Sequence, residues 1–136
     1  MPKVVTCLLI NEKEKLLILK RSDRVRTYKG QWGGVAGYIE ENEKPIDTAY
    51  KELNEEIGLN QKDVQLINKL KPFKFTDFYN GEKYNWEIYL FVFRAKNIKR
   101  IHIDWEHIEF KWVKPSDIYN YDTVPHFKEF ISKLFL

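Results

Sequence analysis

The sequence predicts an α/β or α+β sandwich, in which a sheet is covered by helices. Three observations predict it. Short apolar segments that favour strands lie on both sides of a central segment, that central segment has helical spacing, and a second helical segment ends the sequence. Hydrophobic residues make up 43% and aromatic residues 15% of the 136 residues, which is typical of a globular protein and excludes a disordered chain. We expect a single domain over residues 1–136.

The first part of the chain is expected to contain short strands joined by polar segments. Residues 4–10 and 16–19 are apolar runs with a polar stretch between them, which predicts a β-hairpin. Residues 20–30 are polar and basic and predict a loop. The glycine-rich segment 32–39 predicts short strands where the backbone approaches another group closely.

A central helix is predicted from Pro45 to Ile57. Pro45 suits the first helical position, and Gly58 suits the residue just past the end. One stripe of the helix is apolar and comprises Ile46, Ala49, Tyr50, Leu53 and Ile57.

The second half of the chain predicts strands over residues 73–78, 86–93 and 110–113, and a helix over residues 125–136. Asn80 and Gly81 form a strong turn signal between the first two strands. The segment around this turn is long, so we expect a connection longer than a minimal hairpin.

The distribution of charge indicates more than its sum. The net charge is +3, with 23 basic and 20 acidic residues, which is too weak to indicate nucleic-acid binding. Basic residues gather between Lys20 and Lys29, and acids gather between Glu40 and Glu56. A site for an anionic substrate and a divalent cation needs both groups, although a solvated loop beside a solvated helix has the same pattern.

The central helix carries Glu52, Glu55 and Glu56 on an arc of about 100° beside its apolar stripe. Like charges at these spacings destabilise a helix by about 0.2–0.5 kcal/mol per pair. A divalent cation would relieve this repulsion, because Mg²⁺ prefers oxygen ligands. The alternative is an ordinary solvated acidic face.

The surrounding spacing resembles the Nudix box. From Gly37 the chain has five residues before Glu43, seven more before Lys51-Glu52-Leu53, and then Glu55-Glu56 and Gly58-Leu59. Six invariant positions of the box are matched by identity: Gly37, Glu43, Glu52, Glu55, Glu56 and Gly58. At residue frequencies of about 7%, these matches arise by chance in about one chain in 10⁵.

The resemblance implies a Nudix-type α/β/α sandwich with a mixed β-sheet and a loop–helix–loop catalytic motif. It implies hydrolysis of a phosphoanhydride bond, in a nucleoside diphosphate-linked or nucleoside triphosphate substrate, that depends on Mg²⁺ or Mn²⁺. The implied metal ligands are Glu52, Glu55, Glu56 and the carbonyl of Gly37. Glu52 is either a ligand or the base that deprotonates water.

The resemblance also implies structural roles inside the box. Glu43 and Lys51 are expected to form an ion pair that ties the loop to the helix, and Gly58 is expected to end the helix. Lys51 departs from the arginine of the family pattern. Lysine lacks the planar fork of arginine, so we expect a looser pair with function retained.

Many family members add a carboxylate from a later loop, and the candidates here are Glu106 and Glu109. We prefer Glu106 because it lies farther from the strand predicted over residues 110–113. The alternative is that both are surface charges.

Substrate contacts are expected from the basic loop and from aromatic residues. Arg21, Arg24 and Arg26 are candidates to bind phosphate, because guanidinium pairs well with phosphate oxygens. The candidates to stack on a ring are Trp32, Phe78, Tyr79 and Trp86. The three histidines, His102, His107 and His126, show no metal-ligand spacing and are interpreted as incidental.

We therefore expect a Nudix pyrophosphohydrolase that acts on a small nucleotide or nucleotide derivative. The main alternative is a catalytically inactive Nudix-fold domain that binds a nucleotide or metabolite. An isoprenoid-diphosphate isomerase is disfavoured because its cysteine precedes the box, whereas Cys7 lies far upstream in an apolar run. Hydrolysis of RNA 5′ ends is disfavoured by the modest charge.

The sequence leaves a monomer and a homodimer open. It contains one cysteine, no signal peptide and no apolar stretch long enough to cross a bilayer. We expect a cytoplasmic protein without a membrane partner.

Overall fold

The computed structural model describes residues 2–136. Its strands and α-helices are β1 (Lys3–Ile10), β2 (Leu16–Arg21), β3 (Trp32–Gly33), β4 (Val35–Tyr38), α1 (Pro45–Ile57), β5 (Val64–Lys69), β6 (Phe73–Tyr79), β7 (Glu82–Ala95), β8 (His107–Val113) and α2 (Phe127–Phe135). Short 3₁₀-helices cover Gln61–Asp63, Ile98–Arg100 and Pro115–Asn120.

The sheet is mixed, and β1 lies at its centre. β1 runs parallel to β7 along its whole length and antiparallel to β4. β7 also pairs with β5 and β6, whereas β2 pairs with β3 and β8. β1 and β2 pair only at Ile10 and Leu16. The predicted hairpin therefore exists only at its turn, because the two strands diverge to find separate partners.

Buried side chains form two cores, one on each face of the sheet. Along β1, Cys7 and Leu9 face α1, whereas Leu8 and Ile10 face the side covered by α2. This alternation follows from the two-residue period of a strand. Because helices cover both faces, the predicted α/β/α sandwich is confirmed.

Helix α1 has the predicted bounds. Pro45 occupies its first turn, and Gly58 caps its end in the left-handed conformation with φ of 76°. The buried side of the helix packs on β4 and β1. Local signals therefore suffice to place this helix.

The β6–β7 connection is shorter than predicted. Asn80 and Gly81 have φ of 50° and 81°, and Tyr79 pairs directly with Glu82. Two residues with positive φ make a minimal hairpin, so the expectation of a longer connection was wrong. β7 begins immediately after the turn.

Other boundaries differ for local reasons. β5 was not predicted, because half of its six residues are polar and four of the six are exposed. β8 begins at His107, three residues before the predicted strand. α2 begins at Phe127 because His126 has a φ of 66°, which does not fit a right-handed helix. None of the helices within residues 2–136 is long and apolar enough to span a membrane.

Candidate active site

Three carboxylates from distant parts of the chain meet beside α1. Glu52 and Glu56 lie one turn apart on the helix, and Glu106 lies in the loop before β8. Each contributes an oxygen to a group in which all three oxygens lie within 4.8 Å of one another. Glu52 and Glu56 are buried, with exposed fractions of 8% and 1%, and Glu106 is partly buried. This is a concentration of negative charge that water does not fully solvate.

The loop that carries Glu106 is held against the end of α1. The His102 N–H donates to the Ile57 carbonyl at 3.0 Å, and the Asp104 N–H donates to the Glu56 carbonyl at 3.2 Å. Carbonyls in the last turn of a helix have no intrahelical partner, so the loop satisfies groups that the helix leaves free. These bonds fix the position of Glu106 relative to Glu56.

Gly58 is required at this junction for two reasons. Its positive φ favours glycine, and a β-carbon there would lie 2.2 Å from Cε1 of His102. The imidazole of His102 therefore occupies the space that a side chain at position 58 would need. This contact was not predicted from the sequence, because it joins residues 44 positions apart.

Strand β4 approaches the carboxylates from the opposite side. A β-carbon at Gly37 would lie 2.3 Å from Cδ of Glu52, so only glycine fits without displacing that side chain. The Ala36 N–H donates to Oε1 of Glu56 at 3.4 Å. The backbone of β4 thus lies directly beside both glutamates.

Burial and mutual repulsion shift the proton affinities of these carboxylates. Burial raises the pKa of Glu56 well above its usual range, and the adjacent Glu52 and Glu106 raise it further. Burial likewise raises the pKa of Glu52. The pKa of Glu106 rises to about 7 because of burial and then the charges of Asp104 and Glu52, while Arg21 opposes the shift.

The arrangement fits a divalent cation. Within residues 2–136, Oε2 of Glu56 is buried without a hydrogen-bond partner. A buried oxygen of this kind is costly unless something compensates it. Mg²⁺ prefers carboxylate oxygens, and the group of Glu52, Glu56 and Glu106 offers three within reach of one another. Glu55 is exposed and lies outside this group, although its charge contributes to the raised pKa of Glu52.

Glu106 and Glu109 occupy different environments. Glu109 lies within β8 opposite Lys20, is exposed, and has its carboxylate 3.8 Å from the Lys111 ammonium. Glu106 lies with the α1 glutamates. The structure therefore favours Glu106 as the carboxylate from the later loop.

His107 was interpreted as incidental, and the structure places its side chain beside the carboxylates. Its side chain is buried, with Nε2 3.8 Å from Oε1 of Glu56 and Nδ1 3.5 Å from Oδ1 of Asp104. Burial lowers the pKa of the imidazole, although Asp104 opposes that shift. No spacing signal pointed to this residue, because its contact with Glu56 is made only by the fold.

The predicted ion pair of the box is present. Nζ of Lys51 donates to Oε2 of Glu43 at 2.8 Å. The other oxygen of Glu43 accepts the Thr48 hydroxyl at 3.0 Å and the Glu40 N–H at 2.9 Å. The hydrogen bond from Lys51 is the largest cause of the lowered pKa of Glu43. Lysine therefore ties the loop to the helix at this position.

A cleft extends from the carboxylates toward an aromatic end. Arg21, Gly37 and Glu106 line it near the carboxylates. The aromatic end is lined by Tyr28, Tyr38, Phe75 and Trp86. Charged groups at one end and ring faces at the other suit a ligand with an anionic part and a planar part.

The three arginines of the basic loop differ in position. Arg21 lines the cleft, and its guanidinium donates to the carbonyl and hydroxyl oxygens of Thr27 at 2.9 and 3.3 Å. Arg24 and Arg26 are exposed and lie outside the cleft lining, with the Arg24 guanidinium 5.6 Å from the ring centre of Trp105. Arg21 is therefore the arginine best placed to meet a phosphate.

The aromatic residues predicted to stack on a ring also lie in different environments. Trp32 is 7% exposed and packs with its ring 5.4 Å from that of Tyr121, so its predicted substrate contact is corrected to a role in the core. Phe78 is 68% exposed near the hairpin turn. Trp86 lines the cleft, and Tyr79 packs against Tyr28.

Comparisons with known proteins agree with this geometry. The family model described as NUDIX domain matches residues 1–134. The chain is 30% identical over 127 residues to nucleoside triphosphatase NudI of Escherichia fergusonii, covering 88% of this chain and 87% of that protein.

Solved structures show the same likeness. A MutT protein from Methanosarcina mazei Go1 is 25% identical, with a TM-score of 0.75 over 97% of this chain and 91% of that one. The E. coli dihydroneopterin triphosphate pyrophosphohydrolase is 18% identical, with a TM-score of 0.80 over 97% and 93% of the two chains. At 18% identity, the similarity to the pyrophosphohydrolase concerns the fold alone.

Proposed function

The chain belongs to the NUDIX family of pyrophosphohydrolases, which act on acid anhydrides, and we propose that it hydrolyses a nucleoside triphosphate with the help of Mg²⁺ or Mn²⁺. A nucleoside diphosphate linked to another moiety is the second substrate class. One observation carries the proposal, namely that Glu52, Glu56 and Glu106 converge beside a cleft that Glu106 lines together with Arg21 and aromatic side chains. The likeness to a nucleoside triphosphatase favours triphosphates.

The residues proposed to hold the metal are Glu52, Glu56 and the carbonyl of Gly37, with Glu55 as a further ligand. Glu55 is included on the Nudix pattern alone, because it lies outside the group of Glu52, Glu56 and Glu106. A bound divalent cation would polarise a phosphate oxygen and neutralise negative charge that develops on it. Glu52 and Glu56 lie one turn apart on α1 and Gly37 lies directly against Glu52, which supports this role. The buried, unpartnered oxygen of Glu56 supports its assignment as a ligand.

Glu106 is proposed as the base that takes a proton from the attacking water. Its position beside the α1 glutamates supports the role, and Glu52 is the alternative base. Arg21 is proposed to orient a phosphate, because its guanidinium lies at the same end of the cleft.

The proposal is tested by measuring phosphate and pyrophosphate release from nucleoside triphosphates, dinucleoside polyphosphates and nucleotide sugars. Wild type is compared with Glu56→Gln in Mg²⁺, in Mn²⁺ and in EDTA. Asp47→Asn is the matched control, because Asp47 is an exposed acid on the same helix. We expect metal-dependent turnover that is retained in the control and lost in Glu56→Gln.

Nucleotide binding without turnover by wild type would favour the alternative, an inactive nucleotide-binding domain. Turnover that survives Glu56→Gln would overturn the assignment of the site. Two other expectations remain predictions, a cytoplasmic location and a monomeric or homodimeric state.

A further inference from the structure

A chain of hydrogen bonds joins two walls of the aromatic end. Nε1–H of Trp86 donates to the Tyr28 hydroxyl at 3.2 Å, and that hydroxyl donates to Oδ2 of Asp77 at 2.7 Å. An indole N–H is only a donor, and Trp86 is buried, so the bond satisfies a group that would otherwise be costly. The Tyr28 hydroxyl thereby fixes the two rings relative to each other.

The backbone at Tyr28 is held in a disfavoured conformation. Its φ is 53°, in the left-handed region that a bulky residue rarely adopts. Such conformations persist only where the surrounding contacts over-determine them, and they cluster at functional sites. Here the Lys29 N–H donates to the Tyr79 hydroxyl at 3.2 Å, and the ring of Tyr79 lies 5.0 Å from that of Tyr28. The loop between β2 and β3, which contains Tyr28 and Lys29, is therefore held against the β6–β7 hairpin.

The same loop is attached to the charged end of the cleft. The Thr27 carbonyl accepts Nε–H of Arg21 at 2.9 Å, and the Ser22 N–H donates to the Glu106 carbonyl at 2.7 Å. Tyr28 directly follows Thr27. A short segment thus connects the position of Glu106 with the position of the Tyr28 ring.

We propose that Tyr28 and Asp77 are positioning residues that keep the aromatic end of the cleft in the shape that binds a planar heteroaromatic ring, the base of the nucleotide. This inference rests on the proposed function and names the part of the substrate that the aromatic end recognises. Asp77 acts through the Tyr28 hydroxyl, and Tyr28 aligns its own ring and that of Trp86. Both residues determine affinity for the ring. The bonds of Thr27 and Ser22 that hold the charged end do not use the Tyr28 hydroxyl, so removing this hydroxyl leaves phosphate binding unchanged.

The test compares two probes by calorimetry, with Ca²⁺ in place of Mg²⁺ to slow turnover. One probe is whichever of the four common nucleoside triphosphates wild type binds most tightly, and the other is tripolyphosphate, which lacks a ring. We expect Tyr28→Phe to weaken nucleotide binding by about tenfold, the size of one lost hydrogen bond that leaves buried partners unpaired. Tripolyphosphate binding should stay within about twofold.

Conservative variants separate positioning from simple stability. Asp77→Asn keeps an oxygen that accepts the Tyr28 hydroxyl, so it should retain nucleotide affinity within about threefold. Asp77→Val removes the acceptor and should reproduce the tenfold loss of Tyr28→Phe. Tyr89→Phe is the matched control, because its hydroxyl also donates to a carboxylate, that of Glu87 at 2.7 Å, away from the cleft.

Equal weakening of both probes, or a lower Tm without loss of the preference for nucleotide, would overturn the inference and indicate a merely structural role. Wild type that binds tripolyphosphate as tightly as every nucleotide would overturn it as well. Turnover in Mg²⁺ is measured separately. If wild type prefers nucleotide to tripolyphosphate but hydrolyses no substrate, only the hydrolase proposal is overturned. If the enzyme hydrolyses nucleotides and Tyr28→Phe keeps the same preference for nucleotide, only this inference is overturned.

Discussion

Gly37 lies against Glu52 so closely that a β-carbon on Gly37 would come within 2.3 Å of the Glu52 carboxyl carbon. The contact joins β4 to the side of α1 that carries Glu52 and Glu56. Because Glu52 also adjoins Glu56 and Glu106, the space that a glycine leaves at this position determines where the three carboxylates meet.

Gly37→Ala is expected to lower kcat/KM by about 100-fold, because a displacement of about 1 Å at a reacting centre has effects of that size. The added methyl group must push the Glu52 side chain away from its neighbours. Steady-state kinetics over a range of Mg²⁺ concentrations measure the effect, and the half-saturating concentration should rise.

Gly33→Ala is the matched control for that change. A β-carbon there meets the Val124 side chain at 3.2 Å and no carboxylate. The kcat/KM of this variant should stay within about threefold of wild type, because the crowding falls on a valine and not on the carboxylates. Equal losses in the two variants would show that alanine harms the strands and not the site.

Glu56→Gln is expected to stabilise the metal-free protein while abolishing activity. The pKa of Glu56 is raised by burial and by its carboxylate neighbours, so keeping it charged at pH 8 destabilises the fold. The neutral amide removes that cost. In EDTA the Tm should rise by about 4 °C, which corresponds to about 1 kcal/mol in a domain of this size.

Mg²⁺ should raise the Tm of wild type and leave that of Glu56→Gln nearly unchanged, because the variant lacks the charge that binds the ion. Glu41→Gln, a change at an exposed acid, is the control and should behave as wild type in both conditions. A lower Tm for Glu56→Gln in EDTA would contradict the assigned cause.

The stability of the metal-free protein should fall as the pH rises from about 4.5 to about 7. The pKa of Glu106 is about 7 in the folded protein, against an ordinary value of 4.5. The folded state therefore binds more protons than the unfolded state in this interval, so the free energy of unfolding decreases with pH. The contribution of Glu106 to the free energy of unfolding is highest below its ordinary pKa of 4.5. It is lost completely above its pKa in the folded protein, about 7.

Urea unfolding in EDTA at several pH values measures this dependence. Glu106→Gln should flatten the slope, whereas Glu109→Gln, the same change at an exposed residue of the neighbouring strand, should keep it. With metal present, Glu106→Gln should lower kcat by about 100-fold, as for loss of a general base. Identical slopes in the two variants would remove Glu106 as the source.

Lys51→Arg is expected to keep kcat/KM within about twofold of wild type, because exposed ion pairs contribute little and Glu52 and Glu56 are unchanged. The pair with Glu43 is already made at 2.8 Å, with the two side chains 37% and 26% exposed. Lys51→Met should lower the Tm, because it leaves Glu43 without its cation. A gain of more than tenfold in Lys51→Arg would show that lysine limits this enzyme.

Some elements were predictable because their signals are local. Pro45 and Gly58 mark the ends of α1 through their own backbone preferences. The Asn80-Gly81 turn was recognised for the same reason. Its length was not, because only the pairing of Tyr79 with Glu82 shows that both strands reach the turn. The strands that pair with β1 were likewise not predictable, since parallel pairing with β7 has no local sequence signal.

The site residues also divide into those that local sequence signals predict and those that they do not. Spacing along one helix is enough to place Glu52 and Glu56 on a common face, and the family pattern names Gly37 and the pair formed by Glu43 and Lys51. Spacing could not reveal that Trp32 is buried in the core. It also gave no reason to distinguish His107 from the other histidines, because helical or strand periodicity does not extend across 51 residues.

The sequence by itself determined the class of fold, the bounds of α1 and the grouping of Glu52 and Glu56 on one face of that helix, since each depends on backbone preference or on residues within a few turns of one another. Only the tertiary structure placed Glu106, and not Glu109, beside these glutamates, brought His107 to Glu56, and joined Trp86, Tyr28 and Asp77. These relations depend on strand pairing and on packing between distant segments. Their energies arise only when the chain is folded, so no short stretch of sequence contains them.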